Sequence, residues 1–412
     1  MKKLNLVFIV CDALRFDRLH CYGYGKDTSP NIDKLAENGV LFENAFGHIN
    51  TTAPSFTSIL TGRYPWTTGI TKHFAPENGK ACPTEYTRNQ NLDAKFKMLA
   101  EILYRNGYNT YSSEWLGEWF KRGNIWTMPS TYFEGTYPEC DKLVDWALTR
   151  ISEKPYFIFL HPWEAHWPPT APRKYADIFY DKSLGDPEDP AKIASLDPIK
   201  QSYFPESWEN FRKTTAPITS LEYMFSQYDG DVRFMDEQLG RLLDAVGDDT
   251  LIVLTSDHGE NLGDHGLYFV HYGLYDSVIH VPLIFHNADR IGKGVKHGLV
   301  EHVDLVPTIL KLLDVKPDEG FDGVDMFDEG FKGKEAVYSI ETRTRDAQCV
   351  RNEEFKLVAV QSSFAVQWRP VTPIIRYELY NLKNDPKEEV NVAMKNMNKV
   401  AEMDTLLRRN IR

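Results

Sequence analysis

The sequence predicts an α/β protein: a mostly parallel sheet flanked by helices, with a small C-terminal α+β subdomain. Two observations carry this. Short, uninterrupted apolar runs at Leu4 to Val10, Tyr156 to Leu160, Leu251 to Leu254 and Val281 to Phe285 each lead into a polar cluster. Strands apolar on both faces belong in a buried parallel sheet. Between the runs lie segments with helical period and punctuation, so strand and helix alternate along the chain.

In chain order, Leu4 to Val10 is the first strand. Pro30 to Glu37 follows as a helix, because proline fits a first turn whose N–H groups have no partner, and Asn38-Gly39 closes it. Leu99 to Arg105 is a second helix, ended by Asn106-Gly107, and Tyr156 to Leu160 is the next strand. From Asp177 to Thr219 the chain carries Asp186-Pro187-Glu188-Asp189-Pro190, Pro198, Pro205 and Pro217 with no clear period, which reads as a long surface excursion or lid. Met224 to Val246 is an amphipathic helix, with Phe225, Tyr228, Val232, Met235, Leu239 and Leu242 at three- and four-residue steps. Leu251 to Leu254 and Val281 to Phe285 complete the buried strands. After Gly330, Ala336 to Ile340, Phe355 to Val358 and Tyr377 to Tyr380 suggest a small antiparallel sheet, with a last helix around Val400 to Arg409. The expected division is an α/β domain over residues 1–330 and a small subdomain over residues 331–412.

At 412 residues the chain has room for two or three domains, or one large domain with an appendage. Lys and Arg number 47 against 59 Asp and Glu, a net charge of −12, which repels a nucleic-acid backbone on average. No apolar stretch reaches the ~18 residues of a membrane span. The first apolar run is short and is followed by Asp12, Arg15, Asp17 and Arg18, unlike a signal peptide. The 5 cysteines are odd in number and contain no C-x-x-C pair, which fits a reducing, cytoplasmic setting better than a disulfide framework.

In doubly wound sheets ligands bind beyond the carboxyl ends of the strands. Three runs end in reactive groups there: Asp12; His161-Pro162-Trp163-Glu164-Ala165-His166; and Ser256-Asp257-His258-Gly259-Glu260. Two carboxylates and an imidazole on neighbouring strand ends make a mixed oxygen and nitrogen site for a divalent cation. Each alone is equally a helix cap or a solvated turn residue; their coincidence is the signal. In Asn50-Thr51-Thr52-Ala53-Pro54-Ser55-Phe56, Pro54 suits a first turn and puts Thr52 just before a helix N-terminus, where N–H groups attract an anion. Its hydroxyl is there a simple cap or a nucleophile for a tetrahedral phosphorus or sulfur centre.

Together, Asn5 to Asp12, Ser29-Pro30-Asn31-Ile32-Asp33, Pro54-Ser55 with Leu60-Thr61-Gly62-Arg63-Tyr64-Pro65, Ser256 to Gly266, His280-Val281-Pro282, His302-Val303-Asp304 and Glu378 to Pro386 resemble a sulfatase of the alkaline phosphatase superfamily. The resemblance implies that Asp12, Asp257 and His258 hold a metal and that Thr52 stands at the nucleophile position and joins the ligands. It puts His166 opposite the ester and His271 near a catalytic lysine position. His73 and His161 are expected against the substrate.

The chain also departs from the family. Sulfatases carry Cys or Ser, converted to formylglycine, in a C/S-x-P-x-R signature. Here the positions are Thr52 and Phe56, so no formylglycine forms and a fixed cation is lost. The cationic G-K-W-H-like segment is replaced by Ser113-Glu114-Trp115-Leu116-Gly117-Glu118-Trp119, and the usual Asp-Asp pair by Cys11-Asp12. One divalent cation is expected, calcium by resemblance, with manganese or zinc suited to the imidazole. Asp264-His265 and His302 with Asp304 read as structural. Trp115, Trp119, Trp163 and Trp167 either pack or stack on a leaving group.

The expected reaction is cleavage of a sulfate, phosphate or phosphonate ester through a threonine ester. Phosphorus is slightly favoured, and the substrate is a small molecule or glycan. A phosphoryl-alcohol transferase and a non-catalytic homologue that binds metal or glycan are the alternatives, and homo-oligomer formation is left open.

Overall fold

The computed structural model describes residues 3–72, 92–113, 126–127, 139–202, 205–287, 289–317, 320–342, 345–362 and 374–411. Its centre is an eight-stranded sheet in the order Gly294–Lys296, Val40–Phe42, Leu283–His286, Thr250–Ser256, Asn5–Cys11, Tyr156–Leu160, Asn109–Ser112, Trp126–Thr127. Asn5–Cys11 lies in the middle, parallel to Thr250–Ser256 on one side and Tyr156–Leu160 on the other. All three are buried along their length, as their unbroken apolar character requires.

Alternation along the central strand divides the core. Leu6, Phe8 and Val10 face Thr52–Thr61, Leu99–Arg105 and Leu305–Leu312. Val7, Ile9 and Cys11 face Pro30–Asn38, Cys140–Leu148 and Leu221–Ala245. The long helix begins at Leu221, earlier than its apolar period suggests, because the Ser220 side chain caps it by accepting the Tyr223 N–H.

One strand differs from expectation. Val281 to Phe285 is not a single member of a parallel sheet. Pro282 has no N–H for a ladder, and the chain splits there. His280–Val281 pairs with Ala45–Phe46 in a three-stranded sheet, while Leu283–His286 joins the main sheet antiparallel to both its neighbours. Burial on both faces selects apolar residues whichever way a strand runs, so composition carried no direction.

Between Asp177 and Thr219 the chain folds into short helical pieces: Lys182–Leu184, Pro190–Leu196, Asp197–Ser202 and Pro205–Thr215. Leu196, Ile199, Phe211 and Ile218 join the core beside Leu221–Ala245. Beyond residue 330 a four-stranded antiparallel sheet runs Val337–Glu341, Asp346–Arg351, Phe355–Ser362, Ile374–Asn381. Met397–Asn410 covers one face of it through Val400, Met403 and Leu407. Among the described residues Cys11, Cys21, Cys140 and Cys349 are free thiols, and no helix is long and apolar enough to cross a membrane.

Candidate active site

Strand register builds the site. Cys11 lies opposite Ser256, so Asp12 and Asp257 leave adjacent parallel strands side by side. Ala13 then takes a left-handed turn, φ 54°, costly for a residue with a Cβ, and its N–H donates to Asp257 Oδ1 at 3.2 Å. The His258 N–H donates to the same oxygen at 2.8 Å. Ligand atoms of Asp12, Asp257 and His258 all lie within 4.8 Å of one another, in full burial.

The His258 ring is oriented from behind. Its Nδ1 lies 2.9 Å from the Gly259 carbonyl, which can only accept, so Nδ1 carries the proton. The Nε2 lone pair therefore faces the carboxylates, 3.4 Å from Asp257 Oδ2 and 3.8 Å from Asp12 Oδ1. Asp257 Oδ2 and both oxygens of Asp12 accept no aligned hydrogen bond. Two buried carboxylates with orphaned oxygens are costly unless positive charge joins them. Burial raises the pKa of both. For Asp12, positive charge on His166, His258 and His161 in their protonated forms, with the close His161 contact, outweighs burial and holds the carboxyl below its ordinary range. For Asp257, burial and the charge of Asp12 push it up. Carboxylate oxygens and one imidazole nitrogen converging on a common point suit a divalent cation. Cys11 stands outside this set: its side chain belongs to the opposite face of the sheet, and burial raises its thiol pKa well above the ordinary value.

Thr52 enters on the buried helix Thr52–Thr61. The cap is Thr51, in extended geometry, so Thr52 is the first helical residue, one place inside the position expected. Its Oγ1 lies 3.4 Å from His258 Nε2. Ser55, which the sequence did not single out, fastens this helix to the strand end by donating its hydroxyl to the Asp257 carbonyl at 2.8 Å. His302 stands behind, 3.0 Å from the Ser256 carbonyl, its pKa pushed by burial down to about 3, and Asp304 accepts the Glu301 and Val324 N–H groups. Asp264 pairs with Arg15.

Two half-buried imidazoles flank His258. The His271 ring is 4.4 Å from it and 5.5 Å from that of His166, centroid to centroid. His166 Nδ1 lies 2.7 Å from the Trp167 carbonyl. Asn50, also not singled out, donates its side-chain N–H to the His271 carbonyl at 2.8 Å and so ties that loop to the Thr52 segment.

His161 directly follows the strand Tyr156–Leu160. The alternation of Phe157 and Phe159 continues through it onto the face covered by Thr52–Thr61, so the ring is fully buried under Asp12, against Phe56. His73, Trp115 and Trp119 lie outside the described residues. Trp163 sits between His161 and His166, 5.1 Å from each ring, and Trp167 stacks on Phe211.

A protein-family model described as Sulfatase matches residues 4–315. This chain is a member of the sulfatase family. It is 24% identical over 451 residues to the uncharacterized sulfatase YidJ of Escherichia coli K12, with 95% of this chain and 83% of that protein covered. To human iduronate 2-sulfatase it is 28% identical over 354 residues, covering 70% of this chain and 60% of that protein. Among solved structures, one determined with its substrate D-glucosamine-2-N,6-O-disulfate superposes with a TM-score of 0.73 at 20% identity, covering 99% of this chain and 97% of that one. The phosphonate monoester hydrolase of Agrobacterium radiobacter gives 0.70 at 21% identity, covering 100% and 96%. Sulfatases bind a divalent metal, and this sulfatase-family chain is an ester hydrolase with an Asp-Asp-His set of the right kind.

Proposed function

We propose that this sulfatase-family hydrolase cleaves phosphate, phosphonate or sulfate esters by in-line attack of Thr52, through a covalent threonine ester, with one divalent cation at the site. The carrying observation is the Thr52 hydroxyl, 3.4 Å from His258 Nε2 at the first turn of a buried helix, beside the orphaned oxygens of Asp12 and Asp257. Asp12, Asp257 and His258 would hold the cation, with Thr52 beside them. When bound, it supplies positive charge that favours ionisation of a neighbouring hydroxyl and stabilises the reacting anion.

The protein groups divide the remaining work. The N-terminal N–H groups of Thr52–Thr61 attract the anionic ester. Thr52 Oγ1, its proton released to solvent on ionisation, forms a bond to phosphorus or sulfur as the opposite bond to the leaving alcohol breaks. His166 or His271, both half-buried beside His258, gives that alcohol its proton. Water then attacks the same centre, giving its proton back to that histidine as the bond to Thr52 Oγ1 breaks and frees the threonine. Phosphorus is favoured, because threonine lacks the hydrated carbonyl through which formylglycine expels sulfate, and must instead be freed by a second displacement. Phosphonate monoester hydrolases share the fold, which keeps phosphorus esters in the substrate class. Sulfated glycans remain in the substrate class by kinship with the sulfatases.

The test is turnover of metal-stripped protein re-supplied with Mn²⁺, Zn²⁺, Ca²⁺ or Mg²⁺ on an aryl phosphate, a phosphate diester, a phosphonate monoester and a sulfate ester, beside Thr52→Ala. Cation-dependent cleavage lost in Thr52→Ala with the fold intact is expected. Equal turnover by Thr52→Ala would remove the threonine mechanism, and no turnover of any ester would favour a binding protein or a transferase.

A further inference from the structure

His161 has a place in the site that neither the proposed chemistry nor a purely apolar core explains. Its side chain is wholly buried, its backbone N–H is held by the Ser113 hydroxyl at 2.9 Å, and its ring has two polar faces. On one, the Trp163 indole N–H donates to Nδ1 at 3.1 Å. An indole nitrogen can only donate, so Nδ1 accepts, and the proton of the neutral ring is on Nε2. On the other, Nε2 lies 3.2 Å from Asp12 Oδ2. The contact is close without being aligned, so it restrains the carboxylate through charge and dipole as much as by a formal hydrogen bond.

Phe56 closes the third side, edge-on to the imidazole with ring centroids 4.5 Å apart. This is the position at which the sulfatase signature has arginine, so here an apolar ring stands in place of a cation. It excludes water from the His161–Asp12 contact, where low polarity strengthens the attraction. Asp12 is thereby held at Oδ2, while Oδ1 faces His258 Nε2 at 3.8 Å. Its backbone is fixed by the same segment, since the Asp12 N–H donates to the Pro162 carbonyl at 2.8 Å.

We propose that His161 is a positioning residue for Asp12: Trp163 sets its tautomer, Phe56 seals it, and its Nε2–H aims the carboxylate at the cation site. This rests on the cation reading above. Groups that orient a ligating carboxylate typically change metal affinity by about 10- to 100-fold when removed.

The experiment is calorimetric titration of Mn²⁺ into metal-stripped full-length protein, with circular dichroism and thermal melting as the fold control. His161→Phe fills the space without an N–H and is expected to weaken Mn²⁺ binding by about 10- to 100-fold. His161→Gln carries an amide N–H to about the reach of Nε2 and should bind within a few-fold of wild type. Trp163→Phe keeps the ring but frees the tautomer, and is expected to lose affinity by a smaller factor. Wild-type affinity in a folded His161→Phe, or equal losses in His161→Gln and His161→Phe, would overturn the positioning role while leaving the cation site standing. If His161→Phe does not fold, Trp163→Phe decides, and unchanged affinity there overturns the proposal. Wild-type protein that takes up no Mn²⁺ overturns the cation reading and this proposal with it.

Discussion

Replacing Lys356 by methionine should loosen the C-terminal sheet from the site. Lys356 lies on Phe355–Ser362, fully buried, with Nζ 2.8 Å from Asp276 Oδ1 and 2.7 Å from Glu388 Oε1. Asp276 also pairs with Arg351 at 3.3 Å, and its N–H donates to Glu388 Oε2 at 2.7 Å. Asp276 opens the short helix Asp276–Ile279, whose Val278 carbonyl accepts the Gly259 N–H at 2.7 Å, so this network backs the segment that orients His258. Removing one partner of a buried pair typically costs about 3–5 kcal/mol. Arg351 stays on Asp276, so the lower end, about 3 kcal/mol, is expected, a large part of the usual 5–15 kcal/mol. The cost should depend on pH through Glu388. Burial, only partly offset by Lys356, already raises its folded pKa to about 7 from 4.5. Without the lysine it rises further. The folded state then keeps a proton that the unfolded state releases, and stability falls as pH rises above about 4.5. Urea unfolding followed by tryptophan fluorescence should show a larger deficit at pH 8 than at pH 5, with Lys356→Met/Glu388→Gln losing that slope. A deficit under about 1 kcal/mol, or one equal at both pH values, would refute the reasoning.

Glu164 is fully buried, and desolvation raises its pKa from 4.5 to about 7 despite backbone N–H donors. Its folded pKa exceeds the unfolded one, so wild type loses stability between those values as pH rises. Thermal melts should find Glu164→Gln gaining on wild type across that window, by at most about 3.5 kcal/mol at about 1.4 per pKa unit; a constant difference would contradict it. A Cβ on Gly259 would overlap the Ser277 carbonyl oxygen, so Gly259→Ala should cost more than about 2 kcal/mol and weaken Mn²⁺ uptake, read by urea unfolding and titration. Saturation with cation at 100 times its Kd should add about 2.7 kcal/mol over the chelated protein. A melt indifferent to both chelator and Mn²⁺ would count against the cation site.

Much of this was legible because it rests on local chemistry. Apolar runs that end abruptly at Asp12, His161 and Ser256-Asp257-His258 reveal strands and site together, since a sheet places its carboxyl-end residues at one rim. Helix punctuation at Pro30 and Asn106-Gly107 held for the same reason. The strand Asp346–Arg351 was not legible, because two charged ends and one mixed face hide its alternation, and cross-strand partners supply the order. Three of the pieces between Asp177 and Thr219, at 3, 7 and 6 residues, are too short for a period to emerge.

The sequence by itself determined the fold class, the family and the residue types at the rim, because burial pattern and turn chemistry are written residue by residue. Tertiary structure alone decided how those residues are used. It put His161 beneath Asp12, ran Leu283–His286 against its neighbour, and drew His271 to 4.4 Å from His258. These outcomes depend on which face a side chain enters and what seals it. Phe56 closing over His161 is a contact between residues 105 positions apart, which no local pattern encodes.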